Sequence, residues 1–143
     1  MSQTYHSIWL HLIWSTKNRE PLLTKEIRFS LFDQIREISK ENDYYLDFIN
    51  GVEDHLHCLV CLKPKYAASD MVKQLKGASS KWLNEQGLIE GSFAWQDGYA
   101  VISVSPSHII NVRNYIKNQE KHHQEMSLKN ELKSLEMQIE GMV

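Results

Sequence analysis

The stretch from Asp54 to Leu62, with the sequence DHLHCLVCL, most constrains what this chain can fold into. It is a short apolar run rich in Leu and Val, with Gly51 before it and Pro64 after it, which predicts a buried β-strand. Because side chains on a strand alternate between its faces, His55 and His57 point the same way, roughly 6.5–7 Å apart. Two imidazoles on one face of a rigid strand can bind one divalent cation between them.

Taken alone, such a pair is more often a strand-end histidine beside a hydrogen-bonded core histidine than a metal site. A second group of polar side chains, Tyr115 and Gln119, has to be explained at the same time. In the predicted first strand, Thr4–Ser15, His6 and His11 fall on opposite faces and cannot act together. We interpret His6 and His11 as packed or edge residues rather than ligands.

The length of 143 residues predicts one domain, residues 1–143, with a core at about 4–125 and a C-terminal helix at about 127–140. The N-terminal region does not resemble a signal peptide, and the apolar stretch Ile8–Trp14 is too short to span a membrane. With only two cysteines and no export signal, the chain is expected to be cytoplasmic and reduced. Cys58 and Cys61 face opposite ways on the predicted strand, so we interpret both as core residues rather than a redox or zinc pair.

The formal net charge of −2 argues mildly against a general nucleic-acid binder. The charge is unevenly distributed, since residues 1–54 hold 6 basic and 9 acidic side chains, residues 55–125 hold 8 and 6, and residues 126–143 hold 2 and 3. The middle part contains both groups of polar side chains and is locally basic, which is compatible with a phosphate-bearing partner.

Hydrophobic periodicity predicts the element order β-α-β-β-α-β followed by two more helices. The predicted strands are Thr4–Ser15, Tyr44–Val52, the histidine strand and Trp95–Ser105. The first two predicted helices are Thr24–Glu41 and Ser69–Asn84, with Thr24 and Ser69 as their N-caps. The third predicted helix is Ser105–Gln124, and the last one begins at Ser127. This order predicts an α+β fold of the ferredoxin-like or RRM-like type, an antiparallel sheet with helices on one face. The other face is then open for a site, and the third helix carries Tyr115.

The second and last predicted helices each have a distinctive face. The second places Lys73, Lys76 and Lys81 on its outer side, which is usually a solvated surface but is also the kind of stripe that follows a phosphate backbone. We regard these lysines and Arg113 as candidate DNA contacts. The last helix has an apolar stripe that suits packing against the body of the protein or a partner subunit, and its residues are Leu128, Leu132, Leu135 and Ile139.

Tyr115 and Gln119 lie one helical turn apart, so they can approach the same point in space. A tyrosine phenol is a poor nucleophile unless a neighbouring group activates it or stabilises its product, and a metal ion that polarises a phosphoryl oxygen can do the second. Gln119 can supply a neutral oxygen as a third ligand beside His55 and His57, a mixed set that suits Mg²⁺ or Mn²⁺. Each residue alone has an ordinary structural interpretation, but together the four fit phosphoryl transfer through a phosphotyrosine intermediate.

The pairing of Asp54-His55-Leu56-His57 with Tyr115-Ile116-Lys117-Asn118-Gln119 resembles the single-tyrosine HUH transposases of small insertion sequences. The resemblance covers about residues 4–125, and its motifs are specific in combination. Four other segments agree with it: Trp14–Arg19, Lys76–Ser80, Gly98–Val101 and Ser105–His108.

The resemblance implies a homodimeric enzyme that cuts single-stranded DNA at the ends of a mobile element, where it recognises imperfect hairpins. His55 and His57 would bind the metal, with Gln119 completing the set. Tyr115 would attack the scissile phosphate and leave a 5′-phosphotyrosine and a free 3′-OH. The covalent bond would conserve the energy of the phosphodiester, so rejoining would need no ATP. The resemblance also implies that the tyrosine of one subunit completes the His55–His57 site of the other.

His122 and His123 are the alternatives to Gln119 as a metal ligand. Both lie a further helical turn from the tyrosine, so Gln119 ranks ahead of them. We interpret the two histidines as surface or DNA-contact residues.

Two other functions stay open at this point. One is a non-catalytic module that binds single-stranded nucleic acid on its open sheet, with aromatic residues such as Trp9 and Tyr99 as stacking platforms. The other is a domesticated relative that nicks hairpins without mobilising any element.

Overall fold

A computed structural model describes the backbone of residues 3–125 and 127–140, and the side chains in these ranges except those of 123–125 and 136–140. The predictions made for His123 and Ile139 therefore lie outside the described side chains. No helix within the described ranges is both long enough and apolar enough to cross a lipid bilayer.

Four antiparallel strands form one sheet with the order β2-β3-β1-β4. The strands are β1 (Trp9–Ser15), β2 (Tyr45–Gly51), β3 (His55–Cys61) and β4 (Ala100–Val104). This is the ferredoxin-like strand order, which confirms the predicted fold class. The histidine strand β3 is an inner strand, paired with β1 on one side and β2 on the other, and six of its seven residues are buried.

Helices cover both faces of this sheet. On one face, α1 (Lys25–Glu41) and α2 (Ala68–Gln86) pack against the strands to form the main core. On the other face, α3 (Ile109–Lys117) packs Ile116 against Leu59 of β3. The chain continues into α4 (Gln119–Glu125) and α5 (Leu128–Glu140). The face that was predicted to be open is therefore partly covered.

Gly51 permits the tight β2–β3 hairpin that presents the first histidine. A Cβ atom at position 51 would lie 2.5 Å from the His55 carbonyl oxygen and 2.9 Å from the Leu56 Cα atom. The same carbonyl accepts the Val52 N–H at 2.9 Å, which closes the turn. Any side chain at position 51 would therefore displace the start of the histidine strand.

Strands β1 and β4 are both shorter than predicted. Residues 4–8 lie outside β1, and β4 begins at Ala100 rather than at Trp95. Gly98 has a φ of 88°, which interrupts the extended chain. The Lys76 ammonium donates to the carbonyl oxygens of Gln96 and Gly98, at 2.8 and 2.9 Å, so these two carbonyls bond to a side chain rather than to a neighbouring strand.

One of the two predicted helix caps is confirmed. The Thr24 hydroxyl accepts the Ile27 N–H at 3.5 Å at the start of α1. The predicted Ser69 cap is wrong, because Ser69 lies inside α2. The first turn of that helix starts earlier, where the Ala67 carbonyl accepts the Met71 N–H at 3.2 Å.

The third helix is not continuous, contrary to the prediction. It consists of a 3₁₀ turn at Pro106–His108, then α3 and α4, with a break at Asn118. The Asn118 side-chain amide donates to the Asn114 carbonyl oxygen at 3.0 Å, and such local bonds compete with regular helix bonding. The break falls between Tyr115 and Gln119, the two residues that the sequence placed on one helix.

Candidate active site

His55 and His57 lie on the sheet face that α3 covers, and both side chains are fully buried. The Nδ1 atom of His55 lies 2.7 Å from an Asp54 carboxylate oxygen, and the Nδ1 atom of His57 lies 2.7 Å from Nε2 of His11. The Nε2 atoms of His55 and His57 both approach the carboxylate of Glu131. Fixing one ring nitrogen while the other faces a ligand position is the usual arrangement of metal-binding histidines.

His11 contributes to this site, although its position in the sequence predicted only a packed or edge residue. It is buried, as expected, but it also orients the ring of His57. In the β1–β3 register His11 is opposite Leu59 and Ile13 is opposite His57, so the two histidines meet diagonally on one face. Burial, together with repulsion from His57, lowers the pKa of His11 to about 3, so its imidazole is neutral.

The structure brings Tyr115 and Gln119 to the histidines of the same chain. The centroid of the Tyr115 ring lies 6.0 Å from that of His57 and 6.1 Å from that of His11, and Gln119 is fully buried. The Tyr115 ring also stacks on His122, with 4.4 Å between centroids. The four residues that the sequence selected therefore form one cluster, and His122 packs on the tyrosine.

Glu131, on α5, lies at the centre of this cluster, and it was not among the site residues predicted from the sequence. Its side chain is 1% exposed. Its Oε1 atom accepts the Tyr115 O–H at 2.5 Å and a Gln119 amide N–H at 3.0 Å. Its Oε2 atom lies 3.2 Å from Nε2 of His55, and Oε1 lies 3.1 Å from Nε2 of His57. One carboxylate thus contacts all four predicted site residues.

The sequence does contain a signal for Glu131. It lies within the apolar stripe of the last helix, three residues after Leu128 and one before Leu132. A charged residue on the apolar face of an amphipathic helix is buried together with that face and needs a partner there. Leu128 is indeed buried, and Glu131, on the same face of the helix, is buried with it.

Hydrogen bonding sets the charge state of the cluster. Burial raises the pKa of the Glu131 carboxyl, but the hydrogen bond from His55 and the close approach of the His57 imidazole outweigh this effect and hold that pKa far below its usual range. Burial lowers the pKa of His55, but the carboxylates of Asp54 and Glu131 raise it overall to about 9. Burial and the hydrogen bond to Glu131 raise the pKa of Tyr115. At neutral pH the metal-free cluster therefore holds a carboxylate, an imidazolium and a neutral phenol.

The donor atoms fit a divalent metal ion. One ligand atom from each of His55, His57 and Glu131 lies within 4.8 Å of the others. Within the described part of the chain, Nε2 of His57 and Oε1 of Gln119 are buried without a hydrogen-bond partner, although Oε1 of Glu131 lies 3.1 Å from that His57 atom. A coordinated cation would satisfy such atoms. Imidazole nitrogens with carboxylate and amide oxygens are a ligand set that divalent metal ions accept.

The predicted DNA contacts do not lie at this cluster. Lys73 and Lys81 are exposed on α2, which packs on the opposite face of the sheet. Lys76 bonds to backbone carbonyls ahead of β4, and Arg113 binds both carboxylate oxygens of Asp47, at 2.8 and 3.0 Å. A role of these four residues in DNA binding stays a prediction, and three of them already have partners within the chain, since the Lys81 ammonium lies 3.8 Å from a Glu85 carboxylate oxygen.

Comparison with known proteins gives consistent matches. The family described as "Transposase IS200 like" matches residues 4–119. Among curated proteins, the ISDra2 transposase TnpA of Deinococcus radiodurans is 32% identical over 116 residues, which covers 76% of this chain and 81% of that protein. The family match ends at Gln119, so Glu131 lies outside it.

Solved structures also resemble this chain. A crystal structure described as a transposase from Deinococcus radiodurans R1 has a TM-score of 0.63 at 30% identity, and the match covers 83% of this chain and 98% of that one. A REP-associated tyrosine transposase bound to a REP hairpin has a TM-score of 0.60 over 86% of this chain and 74% of that one. Its identity of 15% makes this second match a likeness of fold.

Proposed function

The chain belongs to the family of IS200-like transposases, which are DNA-cleaving enzymes, and from this premise we propose that it cuts and rejoins single-stranded DNA through Tyr115. The reaction would depend on a divalent metal ion and form a 5′-phosphotyrosine. One observation carries the proposal: the Tyr115 hydroxyl shares a single buried carboxylate with His55, His57 and Gln119. A phenol held against a set of potential metal ligands is the arrangement that tyrosine phosphoryl transfer requires.

Each side chain of the site has a defined role in the proposed reaction. The Nε2 atoms of His55 and His57 would hold the metal, with Oε1 of Gln119 and a carboxylate oxygen of Glu131 as the remaining protein donors. A bound Mg²⁺ or Mn²⁺ supplies a Lewis acid for a phosphoryl oxygen. The Asp54 carboxylate and the His11 ring hold the two histidine rings in position.

The proposed cleavage exchanges one phosphate ester for another. The Tyr115 hydroxyl oxygen attacks the scissile phosphorus, the bond from phosphorus to the 3′-oxygen breaks, and the phenolic proton is lost while the departing 3′-oxygen gains one. The products are a 5′-phosphotyrosine on the protein and a free 3′-OH on the DNA. Attack by a new 3′-OH reverses these steps, so rejoining consumes no ATP.

We propose hairpin-bearing single-stranded DNA as the substrate and a homodimer as the active form. The REP-associated tyrosine transposase of similar fold is bound to a hairpin, which supports this choice of substrate. The outer edge of β4 supports a dimer, because Val101 and neighbouring Tyr99 are 39% and 44% exposed beside an unpaired strand edge. We also propose that the protein acts in the cytoplasm, as the low number of cysteines led us to expect.

The non-catalytic alternative is less well supported by the sheet itself. Trp9 is only half-buried, but it packs against the apolar cluster of Leu59, Val104 and Ile116, and its ring contacts that of Tyr45 edge-on. Tyr99 lies ahead of β4, outside the strands. A hairpin-nicking relative would use the same site chemistry, and the presence of paired terminal hairpins at the encoding locus would separate it from a mobile-element transposase.

The direct test is capture of the covalent intermediate. The protein is incubated with labelled single-stranded DNA that carries a hairpin and flanking sequence, in Mn²⁺ or Mg²⁺, and the products are separated under denaturing conditions. We expect a protein–DNA adduct whose phosphate maps to Tyr115 by mass spectrometry. A set of cleaved products with no adduct, or an adduct at another residue, would contradict the proposal.

A further inference from the structure

A crevice of about 540 Å³ opens beside the active site, between the start of α1 and the junction of α3 and α4. We call it the basic crevice. Its lining includes three lysines, one aromatic ring and two asparagines: Lys25, Lys117, Lys121, Phe29, Asn50 and Asn118.

The basic crevice carries uncompensated positive charge in a chain whose net charge is −2. The carboxylate among its lining residues, Glu120, binds the buried Arg28 guanidinium at 2.9 Å and lies 4.0 Å from the Lys25 ammonium. Neither Lys117 nor Lys121 forms an ion pair within the described part of the chain. Two ammonium groups therefore remain available for an anionic partner.

Phe29 gives the basic crevice an aromatic surface. Its ring is 49% exposed on the outer side of α1, and the Lys25 ammonium lies 6.0 Å from the ring centroid. A single exposed apolar residue needs no special explanation. An exposed ring bordered by lysines is, however, the combination with which proteins bind single-stranded nucleic acid: the cations contact phosphates and a base stacks on the ring.

The basic crevice adjoins the catalytic cluster. Asn50 is the cross-strand partner of His57, so it connects the wall of the crevice to the histidine strand. Asn118 and Glu120 flank Gln119 in the chain and face the crevice, while Gln119 itself is buried in the cluster. A DNA strand whose phosphate is held at Tyr115 would therefore pass close to Lys117 and Lys121.

We propose that the basic crevice binds the single strand next to the scissile phosphate, with phosphates on Lys117 and Lys121 and a base stacked on Phe29. This assignment rests on the proposed function, and it places strand binding on α1, α3 and α4 rather than on the lysines of α2. The contacts involve the DNA backbone and one base face, so they predict little dependence on base sequence.

The test measures binding of a fluorescent single-stranded oligonucleotide by anisotropy, in a Tyr115→Phe background that forms no covalent bond. The variants are Phe29→Ala, Phe29→Leu, Phe29→Trp and the double substitution Lys117→Ala with Lys121→Ala. The matched control is Lys129→Ala with Lys133→Ala, which removes the same charge from exposed positions of α5. Circular dichroism checks that each variant is folded.

We expect Phe29→Ala and Phe29→Leu to weaken binding by about 5-fold to about 100-fold, and Phe29→Trp to keep it, because stacking needs an aromatic face. The lysine pair should reduce the slope of log affinity against log salt by about 1.4, since each phosphate contact on a single strand contributes about 0.7. The α5 control should leave the slope unchanged. If binding occurs but the crevice variants behave like the control, the crevice assignment is wrong and the catalytic proposal stands. If the unsubstituted protein binds no single-stranded DNA, both fail.

Discussion

The Tyr115 hydroxyl donates a 2.5 Å hydrogen bond to Oε1 of Glu131, a residue on a different helix and outside the region that the family match covers. The same oxygen accepts an N–H from Gln119. A buried carboxylate is costly unless cations or hydrogen-bond donors compensate its charge, and here the donors are the site residues themselves. The position of the proposed nucleophile thus depends on α5, and Glu131 is the informative residue to change.

The first prediction is that Glu131→Gln weakens metal binding. The substitution keeps the size of the side chain and removes the negative charge that lies beside His55 and His57. We expect the Kd for Mn²⁺, measured by calorimetry without DNA, to rise about 10-fold to about 100-fold. Lys133→Ala, on the exposed side of the same helix, is the control. An unchanged Kd together with faster cleavage would mean that Glu131 blocks the active site and is not a metal ligand.

The second prediction is that Tyr115→Phe abolishes cleavage of single-stranded DNA and leaves DNA binding nearly intact. The ring can still stack on His122 and pack beside His57, so only the proposed nucleophilic oxygen is lost. Cleavage of a labelled hairpin and anisotropy with the same oligonucleotide provide the two measurements. Covalent adduct formed by the variant would remove Tyr115 from the mechanism.

The third prediction is that cleavage requires a divalent cation and both strand histidines. We expect no cleavage in excess EDTA, and none from His55→Ala or His57→Ala, because each removes an imidazole ligand. Gln119→Ala should reduce the cleavage rate less than the histidine substitutions do, since water can replace a neutral oxygen ligand. Restoring Mn²⁺ after EDTA should restore cleavage by the unsubstituted protein. Full cleavage activity in excess EDTA would contradict the metal requirement.

The fourth prediction concerns the stability of the metal-free protein against pH. The pKa of His55 is about 9 in the fold against an ordinary 6.5, so protonated His55 stabilises the folded state. This stabilisation is complete below pH 6.5 and is lost as the pH rises to about 9, a loss on the order of 3 kcal/mol. Urea unfolding in EDTA at pH 6.5 and pH 9 measures it. Asp54→Asn, which removes one of the two carboxylates that raise this pKa, should flatten the dependence, and an equally steep dependence in that variant would contradict the assignment.

The parts of the site that could be predicted are those that depend on local spacing. Alternation on one strand placed His55 and His57 together, and a separation of four residues placed Tyr115 near Gln119. The broken helix at Asn118 was missed because a hydrogen bond from the Asn118 side chain to the Asn114 carbonyl oxygen leaves no periodic signal in the sequence. The approach of Tyr115 and Gln119 survived this error, since both remain close to one carboxylate.

The parts that were missed depend on how distant elements pack. His11 reaches His57 only through the register of β1 against β3, which alternation within either strand does not determine. Glu131 reaches the cluster because Leu128 buries the start of α5. The partners of Arg113 and Lys76 likewise lie far away in the sequence, which is why the sequence presented both as free cations.

The last prediction is that the active protein is a homodimer in which the tyrosine of one subunit acts at the histidines of the other. Within this single chain Tyr115 lies beside its own His57, with ring centroids 6.0 Å apart, so an exchange would transfer the helix that carries Tyr115 to the partner. The break at Asn118 and the junction before α3 are the points where the chain can change direction, and exchange of an identical element is an inexpensive route to a dimer.

The decisive experiment mixes two inactive proteins, Tyr115→Phe and His57→Ala, by co-expression and isolates the heterodimer. If the tyrosine acts on the other subunit, one of the two sites carries both defects and the other carries neither, so cleavage should return to about half the activity per dimer. If the tyrosine acts within its own chain, each site keeps one defect and the heterodimer stays inactive. Absence of cleavage from a confirmed heterodimer would therefore reject the exchanged arrangement and leave the chemistry at Tyr115 untouched, because both arrangements use the same nucleophile and the same two histidines.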